Sequence, residues 1–111
     1  MTSPVLIAFS TCPDAQTASR LAQVLVSEGL AACVNRVEGV RSTYLWDGRL
    51  QDDAEILLII KTTAEALGPL TERLRALHPY ELPELIAIPA AGGNEAYVEW
   101  VRTGVRTQGE R

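Results

Sequence analysis

The chain has 111 residues, 47% of them apolar and 22% charged, with a net charge of −4. That length makes a single domain able to bury roughly two thirds of its unfolded surface, and the acidic balance disfavours a nucleic-acid groove or an anionic membrane surface. No apolar run approaches the ~20 residues of a membrane helix, and two cysteines are too few for a secreted disulfide framework.

Cys12 and Cys33 are therefore read as reduced thiols in a cytoplasmic protein, a Cys12–Cys33 disulfide being the less favoured alternative. The opening "MTSPVLIAFS" lacks a basic segment, and its apolar run spans only five residues, Val5 to Phe9. It reads as a buried first strand rather than a signal peptide. Pro13 and Asp14 then look like a helix entry, with the Asp14 carboxylate available to free backbone N–H groups. Ala18, Leu21, Ala22, Leu25 and Val26 follow at helical spacing, and Gly29 supplies the stop.

"LAACVNRVEGVRSTYLW" favours strand, with Gly39 as a bulge or bend. Asp47-Gly48 is a hairpin signal, and "EILLIIKT" leads away from it as the return strand. Thr62-Thr63-Ala64-Glu65 matches a capping box before a second helix carrying Leu67, Leu70, Leu74 and Leu77. Pro69 is placed in the first turn of that helix. "ELIAIP" is a fourth strand, "GGN" turns the chain, and a short helix from Asn94 presents Tyr97, Trp100 and Val101 on one face. The order β-α-β-β-α-β plus a C-terminal helix predicts an α+β, ferredoxin-like fold, one domain over residues 1–105 with a frayed tail at 106–111.

"VLIAF", "ILLII" and "LIAI" are continuously apolar, so both faces of those strands call for burial. The third helix is too short to cover a four-stranded sheet, which predicts a symmetric homo-oligomer closed over the open faces. The hairpin, with roughly 15 residues in each arm, is long enough to reach a neighbour's strand edge.

For chemistry, the phosphate-binding, dinucleotide-binding and nucleophile-elbow glycine motifs are all missing. "AAGGNEAY" reads as a turn and an Asn94 cap in preference to an anion cradle. "QDDAE" (Asp52, Asp53, Glu55) reads as an exposed hairpin arm in preference to a hard-cation loop, and Trp46 and Trp100 as packing anchors. Cys12 and His78, at the same end of the sheet, suit either a nucleophile–base pair or, better, a soft copper or zinc contact. Pro79 ends the second helix at His78, so the imidazole lies at a helix C-terminus, which favours its charged form and opposes metal ligation.

"TCPD", "LAACVN", "GVRSTYLWDG", "LLIIKTT", "LHPYELPELIAIP" and "GNEAYVEWV" resemble, in order and spacing, the CutA family of divalent-cation tolerance proteins, over residues 4 to 102. The resemblance implies a tight cytoplasmic homotrimer built like PII-type signalling proteins, linked to copper and divalent-metal tolerance and without enzymatic activity. It implies a weakly bound copper or zinc ion and no organic cofactor. The family's copper positions, a cysteine ending the first strand and two histidines before Pro-Tyr, align with Ser10, Leu77 and His78 here. His78 alone matches, so the metal ligands expected are His78, then Cys12, then Glu84. An alternative is a PII-like regulatory module. Its inter-subunit cleft, lined by Tyr44, Trp46 and Lys61 beside His78 and Glu84, would take a small anionic ligand or a partner protein.

Overall fold

A computed structural model describes residues 3–106. The elements are β1 (Val5–Cys12), α1 (Ala15–Ser27), β2 (Cys33–Trp46), β3 (Arg49–Thr63), α2 (Ala64–Leu77), β4 (Ile86–Pro89) and α3 (Glu95–Gly104). The four strands form one antiparallel sheet in the order β2-β3-β1-β4. This is the ferredoxin-like arrangement that the element order predicts.

Side chains alternate across the sheet, so register decides what each face buries. Ala8, Ser10 and Cys12 lie opposite Ile60, Leu58 and Ile56. That face meets Leu21 and Leu25 of α1 and Leu70 and Leu74 of α2 in one apolar core. β1 continues past Phe9 to Cys12 because Ser10, although polar, satisfies itself inside: its hydroxyl donates to the Glu84 carbonyl at 2.7 Å. The opposite face carries Ile7 and Phe9 with Ile88 and Ile86 as their partners on β4. Helix α3 packs at the Ser3 end of the sheet, where Arg102 Nε donates to the Ser3 carbonyl at 3.1 Å. Ile86 and Ile88 stay 62% and 50% exposed.

The Asp47-Gly48 turn has φ of 51° and 74° at its two central residues, the pairing of a type I′ hairpin that matches strand twist. Gly39 (φ 82°) sits in a register slip between Val37 and Val40, the bulge expected there. Arms of 14 and 15 residues make the subunit 46 Å long.

Helix α1 begins as expected, with Asp14 Oδ1 accepting from the Thr17 N–H at 2.8 Å, and Gly29 ends it at φ 73°. Val26 is a correction: it points away from the core and is exposed. The start of α2 also differs. Thr63, one residue later than the capping-box match, is the cap and accepts from the Ala66 N–H. Thr62 is buried and its hydroxyl donates to the Leu30 carbonyl at 2.7 Å, while Ser3 Oγ takes the Glu65 N–H. Pro69 lies in the second turn rather than the first. Gly68 before it has no Cβ to clash with the proline ring, which lowers one of the barriers to helix at that position.

Asn94 caps α3 through the Ala96 N–H. Only Val101 of the expected apolar face is buried. Tyr97 and Trp100 stack on each other at 5.5 Å and are 44% and 51% exposed, so Trp100, like the half-exposed Trp46, is no packing anchor within the subunit. Both cysteines are free. Of the frayed tail expected at 106–111, residues 107–111 lie outside those described, and Arg106 is docked rather than frayed. Its N–H donates to the Gly29 carbonyl at 2.9 Å and its guanidinium to the Ser27 carbonyl.

Candidate functional site

His78 caps the C-terminus of α2 with extended backbone (φ −78°, ψ 138°), as Pro79 requires. Its ring is 7% exposed and both nitrogens are engaged. The Tyr80 N–H donates to Nδ1 at 3.1 Å, and Nε2 lies 2.8 Å from the Thr11 carbonyl. A carbonyl only accepts, so the proton is on Nε2 and the ring is the neutral tautomer. No lone pair is left for a metal unless the Tyr80 turn opens.

Cys12 sits fully buried on the helix-facing side of β1. Burial, and then the charges of Asp14 and Glu55, push its thiol up to about 11, so the free thiol is not an activated nucleophile near neutral pH. The Glu84 side chain is exposed, and its fixed contact is the backbone carbonyl that receives Ser10. Among the described residues no three His, Cys, Asp or Glu side chains gather as a metal-holding group. The expected set of His78, Cys12 and Glu84 is thus not assembled.

What His78 does is position Tyr80. Their rings lie 4.7 Å apart, and the Tyr80 hydroxyl donates to Glu55 Oε2 at 2.6 Å. Burial and this carboxylate hold the Tyr80 hydroxyl protonated far into the alkaline range. Tyr80 and Glu55 form one wall of a cavity of about 580 Å³. Tyr44 and Trp46 from β2 and Glu81 and Glu84 from the α2–β4 crossing complete its functional lining. The Tyr44 hydroxyl is held by Asp53 Oδ2 at 2.7 Å. Three carboxylates and three aromatic rings line this space, and its lining includes no lysine or arginine.

Tyr44, Trp46 and Glu84 line this cavity within one chain, whereas His78 and Lys61, grouped with them in the inter-subunit cleft reading, do not. Lys61 lies opposite Cys33 and Ile7 in the sheet register, with Nζ donating to Asn35 Oδ1 and 4.0 Å from Cys33 Sγ. Six residues along β3 put it about 20 Å from Glu55. Glu55 was read with Asp52 and Asp53 as part of an exposed arm, which its burial corrects, and Tyr80 and Glu81 were assigned no role from sequence. Glu55 is only 7% exposed although it ends the acidic run "QDDAE". The available signal was its phase: it lies two residues before Leu57, on the same strand face.

A family model described as "CutA1 divalent ion tolerance protein" matches residues 6–104. The divalent-cation tolerance protein CutA of Thermus thermophilus is 47% identical over 86% of this chain and 93% of its own length. The chloroplastic CutA 1 of Oryza sativa is 48% identical over 95% of this chain, and the chain spans 59% of that relative and 58% of the chloroplastic CutA of Arabidopsis thaliana. Among solved structures, CutA1 from Oryza sativa superposes with a TM-score of 0.91 at 48% identity, covering 95% of this chain and 96% of that one. The Thermus thermophilus structure gives 0.90 at 44% identity, covering 92% and 99%.

Proposed function

This chain belongs to the CutA1 divalent ion tolerance family, and from that premise we propose that it is a non-enzymatic protein that binds divalent cations weakly at its acidic cavity. The observation that carries the reading is the lining: Glu55, Glu81 and Glu84 border one cavity with no basic side chain among them, spaced too widely to chelate, so an ion would be held loosely and keep much of its water. Oxygen donors of this kind suit hard or borderline divalent ions. A soft copper site at Cys12 and His78 has less support, since Cys12 is fully buried and both imidazole nitrogens are engaged. The same two facts leave a Cys–His enzyme without a nucleophile. Within one chain an anionic ligand at this cavity would meet three carboxylates and no lysine or arginine.

We take the working form to be a homotrimer, as the family resemblance implies; the exposed Ile86 and Ile88 of the open sheet face support an oligomer without giving its number. We place it in the cytoplasm on the strength of its two free thiols. Among the described residues no helix is long and apolar enough to cross a membrane.

Zinc and copper titrations by calorimetry test the cation reading. Glu81→Gln/Glu84→Gln should weaken binding and Cys12→Ala should leave it intact; an unchanged isotherm for the double variant would refute the site.

A further inference from the structure

The cavity is larger and more aromatic than a metal ion needs. Its volume of about 580 Å³ falls within the roughly 300–1,000 Å³ of small-molecule sites. A hard divalent ion instead wants six or more oxygens converging at roughly 2.3–2.6 Å, and its carboxylates do not gather in that way. An ion here would keep much of its water and gain little from the rings of Tyr44, Trp46 and Tyr80. An organic ammonium can use both kinds of wall, the faces of the rings by cation–π attraction and the carboxylates by charge-assisted hydrogen bonds.

Glu55 adds an independent observation. It is more than nine-tenths buried, and Tyr80 occupies Oε2. Among the described residues no side chain or backbone N–H is bonded to Oε1, which is nevertheless not sealed from solvent. It is an anchored anion with one free acceptor on the cavity wall. Tyr80 cannot release it by ionising, because the phenol is held protonated by burial and by Glu55 itself.

We propose that this cavity is a binding site for a small organic polyammonium ion of the alkyl polyamine class, one ammonium group donating to Glu55 Oε1 and the methylene chain lying against Trp46 and Tyr44 toward Glu81 and Glu84. The inference rests on the cation-binding reading of the cavity and names a second class of cation for it. Spread carboxylates favour a ligand with more than one ammonium group over a compact monocation, and the apolar stem between the charges suits the aromatic wall.

The test is calorimetry of the full chain with spermidine at ~0.15 M salt, where diffuse attraction to a net-acidic protein is screened. Saturable binding is expected, with tetramethylammonium weaker and succinate silent. Trp46→Leu keeps every carboxylate and lies on a half-exposed position of the hairpin, so the fold should tolerate it. It should weaken spermidine about tenfold, the scale of one cation–π contact. Tyr44→Leu is the second variant should the first misfold. Equal affinity in a folded Trp46→Leu or Tyr44→Leu protein would overturn the site, because diffuse charge alone would then explain binding. Wild type that binds zinc but not spermidine would overturn this inference and leave the metal reading standing. Wild type that binds neither would overturn both.

Discussion

The Tyr80 hydroxyl sits 2.6 Å from Glu55 Oε2, and it is the single side-chain donor found on that buried carboxylate among the described residues. Tyr80 is in turn set by its own N–H on His78 Nδ1, and His78 by the Thr11 carbonyl. One chain of hydrogen bonds thus ties the end of β1, the α2–β4 crossing and β3 together behind the cavity. Tyr80→Phe keeps the ring and removes only the donor. Leaving a buried carboxylate short of its partner costs about 1–3 kcal/mol, and more when the group is charged. Urea unfolding should show that loss, whereas Tyr44→Phe, whose bond to Asp53 is exposed, should stay within about 0.5 kcal/mol. Equal effects from the two would mean that Glu55 is not buried in solution.

Alkaline pH should destabilise the fold before it ionises exposed tyrosine. Both Cys12 and Tyr80 titrate higher in the folded chain than in the unfolded one. Between the unfolded and folded values the native state holds protons that the unfolded chain has lost, so stability falls as pH rises. For Cys12 the window runs from its ordinary value near 9.0 to about 11, and Tyr80 extends the loss upward from about 10. Unfolding free energy measured from pH 8 to 11 should decline, with a shallower slope in Cys12→Ala. Iodoacetamide at pH 7 should label Cys12 far more slowly than a free thiol. Rapid labelling would show that the thiol is neither buried nor raised.

Gly29→Ala should destabilise strongly for two separable reasons. The residue has φ 73°, where a side chain is strained, and a Cβ would fall 2.1 Å from Arg106 Nε. The conformational part alone is about 1–2 kcal/mol. Arg106→Ala removes the Nε and Cγ contacts and part of the docking but keeps the Cβ at 2.9 Å, so the double variant should recover some but not all of the loss. Full recovery would show that the left-handed conformation is without cost here.

What was legible in the sequence was whatever local periodicity or turn chemistry dictates. Asp14, Gly29, Gly39 and Asp47-Gly48 each fix a backbone event through their own residue type, and each appears where expected. The ends of β1 and the cap of α2 were displaced because tertiary partners decided them. Ser10 stays in the strand by reaching the Glu84 carbonyl, and Thr62 is withdrawn from capping by the Leu30 carbonyl. The site was half legible for the same reason. Tyr44, Trp46 and Glu84 stood out as residue types, but Glu55 was hidden in an acidic run and Tyr80 needed a partner 25 residues away to acquire a role. Lys61 was placed with them in a cleft between subunits, and within one chain strand register puts it at the other end of β3. His78 drew attention as the sole histidine, and its two bonds turn it from a ligand into a support.

The open sheet face yields the last prediction, because it separates a structural explanation of apolar strands from an accidental one. Ile86 and Ile88 lie over Phe9 and Ile7 on the face away from α1 and α2, and half or more of each is exposed in the single subunit. Each such side chain is worth about 1.5–3 kcal/mol when buried, so a face of this kind gains considerably from a second copy. In a symmetric oligomer one substitution recurs in every subunit, and a lysine at the centre of a desolvated face would be buried unpaired several times over. Light scattering at low micromolar concentration should return a multiple of the 12.1 kDa chain for wild type and 12.1 kDa for Ile88→Lys. Circular dichroism should show the fold retained, since position 88 does not contribute to the helix-side core. A wild-type mass of 12.1 kDa would refute the oligomer, and an unchanged oligomeric mass in Ile88→Lys would move the interface off this face.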